Sequence, residues 1–167
     1  MINHSPPFPL LLDYGHYHLE TWTAEDEDGC LFALEYLQRV NEIVLSAPES
    51  TLRMLTAAIL EEAPRLEHLS LHSQTAELVL PKQFLDGGAP WLRVLTLTGA
   101  SLEVVHPLLP SATSLRTLAL ERISTSAYFS PDRLVPQIHT MTQLQTLSIS
   151  FLSAVPRPGF RSERFLP

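Results

Sequence analysis

One phrase recurs five times along the chain and constrains its fold more than any other feature. The phrase consists of an apolar residue, two further residues, an apolar residue, one residue and a third apolar residue. Its copies begin at Val40, Leu66, Leu92, Leu115 and Leu144, so that successive starts lie 26, 26, 23 and 29 residues apart. Near-constant spacing of this kind is typical of a chain built from stacked structural units.

Each phrase predicts a β-strand with one buried face, because its last four residues alternate between apolar and polar types. In VNEIVLS the buried side chains are Val40, Ile43 and Leu45. FPLLLDY at residues 8–14 predicts an opening strand. We expect strands at residues 43–45, 69–71, 95–97, 118–120 and 147–149, paired in parallel in chain order. One buried column should then contain Leu69, Leu95, Leu118 and Leu147.

The segments between the phrases predict helices. Thr23 precedes AEDEDG, which indicates an N-cap followed by an acidic first turn. Ser50 is expected to cap a second helix, with Leu52, Leu55 and Ile59 facing inward. Pro131 predicts the first turn of a third helix, which Pro136 should kink or delay.

Strands joined through such segments form parallel sheets with right-handed crossovers. One unit cannot bury its apolar face alone, so neighbouring units must stack around a continuous core. The period resembles that of the leucine-rich repeat. The predicted fold class is α/β, a leucine-rich-repeat-like solenoid with a parallel sheet of about six strands on its concave face and helices or irregular returns on its convex face. An ordinary doubly wound α/β sheet is the alternative.

The predicted repeat is irregular, because the asparagine that often follows each strand is absent. Its place is taken by Pro48, Gln74, Ala100, Ile123 and Leu152. We expect a disordered segment at residues 1–7, the repeat domain at residues 8–152 and a tail rich in proline and arginine at residues 153–167.

Several phrases together resemble a known family. FPLLLDY, TAEDEDG, LEYLQRVNEIVL, SAYFSPDRLVPQIHTMTQLQTLSISF and AVPRPG occur in this order over residues 8–160. As a set they resemble the uncharacterised F-box proteins of mushroom-forming fungi, which carry degenerate leucine-rich repeats. The resemblance implies that an F-box helix bundle binds the adaptor of an SCF ubiquitin ligase while the repeats present a target protein.

The chain departs from that arrangement at its start. The repeat region begins within nine residues of Met1, which leaves no room for an F-box. We therefore expect a fragment, a shortened paralogue or a partial gene model of such a protein. Adaptor binding is carried over to no residue here and is expected only if an F-box lies upstream.

Composition excludes several classes of partner. The net charge is −7, and residues 1–67 carry twelve acidic against three basic residues, so no basic stripe favours nucleic acid. No apolar run is long enough to span a bilayer, and an acidic chain gains little from an anionic membrane surface. A single cysteine excludes an internal disulfide framework and a cysteine-based zinc site. With no signal-peptide pattern at the start, we expect an intracellular protein of the cytoplasm or nucleus.

No motif for catalysis or for a cofactor is present. The chain lacks a phosphate-binding glycine loop, an HExxH pair and a GxSxG elbow. His16, His18 and Glu20 share a short segment, and we interpret them as exposed polar residues rather than metal ligands. Cys30 is interpreted as a small core residue, and Trp22 and Trp91 as packing anchors.

Binding is expected on the outward residues of the strands. By register these are Glu42, Val44, His68, Ser70, His72, Val94, Thr96, Thr98, Thr117, Ala119, Glu121, Thr146 and Ser148. The central row is made of small side chains, which lets a partner approach the sheet closely. Solvent-facing strand positions also favour serine and threonine without any partner, and the arginine and aromatic anchors of binding hot spots are absent from this set.

The leading hypothesis is a non-catalytic protein-interaction scaffold whose target protein is unidentified and which needs no cofactor. A truncated or remnant repeat domain without a partner is the alternative, and a small α/β hydrolase is a weaker one. The proline-rich tail offers little apolar area for a cap, so we expect the C-terminal end to self-associate.

Overall fold

The computed structural model describes residues 8–14, 22–74, 78–81, 83–100, 109, 111–123 and 131–152. The strands are β1 (Leu10–Tyr14), β2 (Val40–Ala47), β3 (His68–Ser73), β4 (Val94–Thr98), β5 (Thr117–Ile123) and β6 (Thr146–Phe151). The α-helices are α1 (Ala24–Leu34), α2 (Glu49–Ala58) and α3 (Pro131–Thr140). Short 3₁₀ helices span Leu37–Arg39 and Phe84–Gly87.

The six strands form one parallel sheet in the order β1-β2-β3-β4-β5-β6. The predicted strands and their order along the chain are therefore confirmed. A doubly wound sheet reverses its strand order at a switch point, and this sheet contains no such reversal. The chain has an α/β fold built on a six-stranded parallel sheet.

Register places equivalent residues of the phrases side by side. Ile43 pairs with Leu69, Leu69 with Leu95, and Leu95 with Leu118. These four side chains are fully buried on one face of the sheet. The same apolar cluster includes Leu52 and Leu55 of α2 and Cys30 of α1, so both helices cover this face. The alternation in the sequence fixes the side of each side chain, because a strand points successive residues to opposite faces.

The predicted leucine column ends before β6. Leu147 pairs in register with Leu118, but its side chain is 44% exposed. The prediction that Leu147 is buried was wrong. β6 and β1 are the edge strands of the described sheet, and Leu12 of β1 is only 5% exposed because it packs in the cluster that includes Cys30 and Leu34 of α1. A single strand neighbour therefore does not by itself account for the exposure of Leu147.

The helix starts agree with the sequence at two of three places. Thr23 caps α1, because its hydroxyl accepts from the amide of Asp26 and the Asp26 carboxylate accepts from the amide of Thr23. α3 begins at Pro131 as predicted and continues through Pro136. Ser50 does not cap α2, since the helix already begins at Glu49 and the Pro48 carbonyl accepts from the amide of Leu52.

Candidate functional site

The predicted outward residues lie in rows across the sheet face that is opposite the leucine core. Strand pairing aligns Glu42 with His68 and His68 with Val94 in the first row. We call the thirteen predicted residues together the open face. Its central row consists of Val44, Ser70, Thr96, Ala119 and Ser148. From β2 to β6 the side chains of this row are half-buried or exposed.

A depression of about 300 Å³ lies in the middle of the open face. Six of the predicted residues line it, and these are Val44, Ser70, His72, Thr96, Thr98 and Glu121. The other seven do not: Glu42, His68, Val94, Thr117, Ala119, Thr146 and Ser148. Ser46 also lines the depression and continues the third row beside His72. Half of the eight residues that line the depression therefore carry small hydroxyl-bearing side chains.

Two polar contacts order this face. Glu42 Oε1 lies 3.0 Å from Nδ1 of His68 on the neighbouring strand. Thr98 is only 2% exposed, and its hydroxyl donates to Oε2 of Glu121 at 3.3 Å. Thr98 therefore holds Glu121 in place rather than offering its own hydroxyl to a ligand.

Trp22 stabilises one end of the depression. Its indole nitrogen donates to the carbonyl of Ser46 at 2.9 Å, and its ring packs on Tyr14 with the ring centroids 5.3 Å apart. The interpretation of Trp22 as a packing anchor is confirmed.

Another row of residues crosses the sheet where the strands begin, beside the open face. It occupies the second position of each phrase and consists of Asn41, Glu67, Arg93, Arg116 and Gln145. Backbone hydrogen bonds of 2.8 Å link each of these residues to the next. Sequence reasoning missed this row because it read outward positions only from the alternating part of each phrase.

A groove of about 730 Å³ opens at the end of the sheet where the strands begin, and we call it the edge groove. Its lining residues are Pro9, Gln38, Arg39, Asn41, Pro64, Arg65, Glu67 and Trp91. The Trp91 side chain is 57% exposed, so the interpretation of Trp91 as a packing anchor was wrong. Arginine and tryptophan, which the open face lacks, are thus present next to it.

The Cys30 thiol is the one cysteine side chain of the protein, and it lies fully inside the core. Burial raises its pKa to about 12, and the carboxylates of Asp26 and Glu27 add to the shift. A thiol with this pKa stays protonated at neutral pH and is a poor nucleophile. Cys30 is therefore a small residue packed in the core, as the sequence predicted.

Within the described ranges no three histidine, cysteine or carboxylate side chains gather around a point that could hold a metal ion. His16, His18 and Glu20 lie outside the described residues, as do the predicted segments 1–7 and 153–167. Among the described helices, none has the length and apolar character needed to cross a membrane.

Comparisons with protein-family models, with curated proteins and with solved structures find no match to this chain. The resemblance to fungal F-box proteins therefore stays a prediction from sequence phrases.

Proposed function

We propose that the chain is a non-catalytic protein-interaction scaffold, with a leucine-rich-repeat-like solenoid whose open face binds a target protein. In this proposal it resembles the target-recognition region of an F-box protein and acts in the cytoplasm or nucleus. The depression at the centre of the open face carries the proposal, because it joins residues of β2, β3, β4 and β5 into one continuous surface.

The arrangement of side chains supports close approach of a partner. Ser70 and Thr96 are paired at the centre of the sheet, and neither projects far from the backbone. His72 and Glu121 flank them and offer groups that donate or accept hydrogen bonds. A partner can thus place a large side chain in the centre and polar groups around it, as protein interfaces commonly do.

The absence of catalysis belongs to the same proposal. Its support is that the sequence lacks a nucleophile elbow and that the Cys30 thiol is buried with a pKa near 12. A chromogenic ester such as p-nitrophenyl acetate tests the hydrolase alternative. We expect no turnover above that of an equal concentration of the unfolded chain, and saturable turnover would contradict the proposal.

Binding to the SCF adaptor is proposed only for a protein in which an F-box precedes this region. The 167-residue chain alone should not bind purified adaptor in a size-exclusion experiment. The genomic sequence upstream of Met1 gives a direct second test, since an in-frame F-box would connect this region to the ligase.

The target proposal is tested by blocking the depression. Ser70→Arg combined with Thr96→Arg places two long cations in its centre. Met54→Arg is the matched control, because Met54 lies exposed on α2, which covers the opposite face of the sheet. Circular dichroism first establishes that all three proteins are folded.

Proteins retained from a cell lysate are then quantified by mass spectrometry, and each candidate is purified and titrated by calorimetry. A true target should bind the wild type and Met54→Arg equally and the double variant at least tenfold more weakly. Equal binding to the double variant would rule out the open face as the binding surface. Lack of any partner specific to the wild type would favour the remnant alternative.

A further inference from the structure

We propose that the edge groove is a second binding site, which takes an extended acidic segment of another protein. It differs from the open face in both its residues and its chemistry. The inference stands even if the open face binds nothing.

The groove is built by three copies of a turn that the chain also forms at residues 112–115 and 141–144. The turns are Leu37-Gln38-Arg39-Val40, Ala63-Pro64-Arg65-Leu66 and Ala89-Pro90-Trp91-Leu92. In each, the amide of the last residue donates to the carbonyl of the first. The first and last residues of every turn are buried, which anchors the turn in the core.

This anchoring turns the third residue of each turn away from the core, fully in the second and third turns and partly in the first, where the Nε of Arg39 is buried. These residues are Arg39, Arg65 and Trp91, spaced 26 residues apart, and all three line the groove. Neighbouring strands lie about 4.8 Å apart, so the row spans about 10 Å. An extended chain advances about 3.3 Å per residue, and about three of its residues match that length.

The lining of the groove is suited to a peptide. Trp91 presents an exposed aromatic surface, and Pro9 and Pro64 add rigid apolar surface. Arg39 Nη2 donates to the carbonyl of Phe8 at 3.2 Å, which fixes its guanidinium against the segment that precedes β1. Tryptophan and arginine are the side chains that most often dominate the affinity of protein interfaces.

The charge of the groove selects acidic partners. Glu67, the one carboxylate of the lining, lies 2.8 Å from Nη1 of Arg93, so its charge is already compensated. Arg65, which is exposed, then brings a positive charge to the groove, and Arg39 adds a second guanidinium to its lining, on a protein whose net charge is −7. Arginine binds carboxylates through paired hydrogen bonds, which gives both affinity and orientation.

The same charges argue against other occupants. A nucleic acid requires a longer basic surface than the two arginines of this groove provide. Residues 1–7 contain no acidic residue, and residues 153–167 contain three arginines against one glutamate. Neither end of this chain is complementary to the groove, so the occupant is a segment of another molecule.

Fluorescence polarisation with a defined probe tests the proposal. The probe is a fluorescein-labelled twelve-residue peptide that alternates glutamate and proline around a central tyrosine. Arg65→Glu and Trp91→Ala alter the groove at exposed side chains, so both variants should fold. Arg53→Glu on α2 is the matched control, because it makes the same charge change at an exposed position outside the groove lining.

We expect saturable binding of the probe to the wild type and to Arg53→Glu with the same dissociation constant. Arg65→Glu should weaken binding at least tenfold and Trp91→Ala at least fivefold. The open-face variant with Ser70→Arg and Thr96→Arg should bind the probe normally, which separates this site from the proposed target surface.

Four results would overturn the proposal. The first is absence of saturable binding by the wild type, and the second is equal weakening by Arg53→Glu and Arg65→Glu. The third is tighter binding of a single-stranded oligonucleotide or of a matching lysine peptide. The fourth is a wild-type dimer in sedimentation that Arg65→Glu dissociates, because the occupant would then be a second copy of this chain.

Discussion

Deleting one leucine from the buried column tests how this sheet is stabilised. Leu95 lies in β4, between Leu69 of β3 and Leu118 of β5, and all three side chains are fully buried. Leu95→Ala removes three carbon atoms from a site that solvent cannot fill. The surrounding leucines belong to paired strands, so the backbone has little freedom to collapse into the space.

The expected cost has two parts. Losing the burial of three carbons costs about 2.4 kcal/mol, at about 0.8 kcal/mol for each. The cavity that remains adds a further cost, which brings leucine-to-alanine changes in rigid cores to about 3–5 kcal/mol. We expect Leu95→Ala to lower the free energy of unfolding by about 3–4 kcal/mol.

Leu147→Ala is a matched control, because it makes the same change at the equivalent position of β6. Its side chain is 44% exposed, so only about half of the burial term applies and water can fill the space. We expect a loss of about 1 kcal/mol.

Urea unfolding followed by far-ultraviolet circular dichroism measures both values, and an unchanged slope with denaturant validates the comparison. A loss below about 1 kcal/mol for Leu95→Ala would refute the packing register. Equal losses for the two variants would mean that Leu147 is as buried in solution as Leu95.

Three further predictions concern the first helix, the thiol and the open end of the sheet. Thr23→Ala should cost about 1 kcal/mol, because it removes the cap of α1. Hydrogen bonds from the hydroxyl and the amide of Thr23 lower the pKa of Asp26. The stability that they add is therefore fully present above the ordinary aspartate pKa of 3.8, and it is lost as the pH falls through the lowered pKa of Asp26 in the folded protein. The difference between Thr23→Ala and wild type in urea melts should therefore shrink in acid, and a constant difference would contradict the capping box. Cys30 should react with Ellman's reagent only as fast as the protein opens, because its thiol is buried with a pKa of about 12; rapid labelling of the native protein would contradict this. Leu147, Phe151 and Leu152 are exposed at the β6 end, so we expect concentration-dependent association in light scattering that Phe151→Lys reduces; a wild-type monomer at high concentration would refute it.

The strands and their buried faces could be predicted from the sequence. Equivalent apolar residues recur at a nearly constant period, as Ile43, Leu69, Leu95 and Leu118 show. The alternation of apolar and polar residues around each of them determines which side chains face solvent. Once similar units stack in chain order, parallel pairing and the leucine column follow from the same spacing. The cap of α1 was also readable, because an N-cap and the acid three residues later act within a single turn.

Only the tertiary structure decided which of the equivalent positions are exposed and which side chains meet. Leu147 follows the same pattern as Leu95 but is 44% exposed in the edge strand β6, whereas Leu12 of the other edge strand, β1, is 5% exposed in the cluster that includes Cys30 and Leu34 of α1. Arg39, Arg65 and Trp91 are far apart in the chain and form one groove because strand register brings three copies of a turn together. A local pattern determines the side of the sheet that a residue occupies. Its burial and its neighbours depend on the elements packed next to it, which no single phrase of the sequence contains.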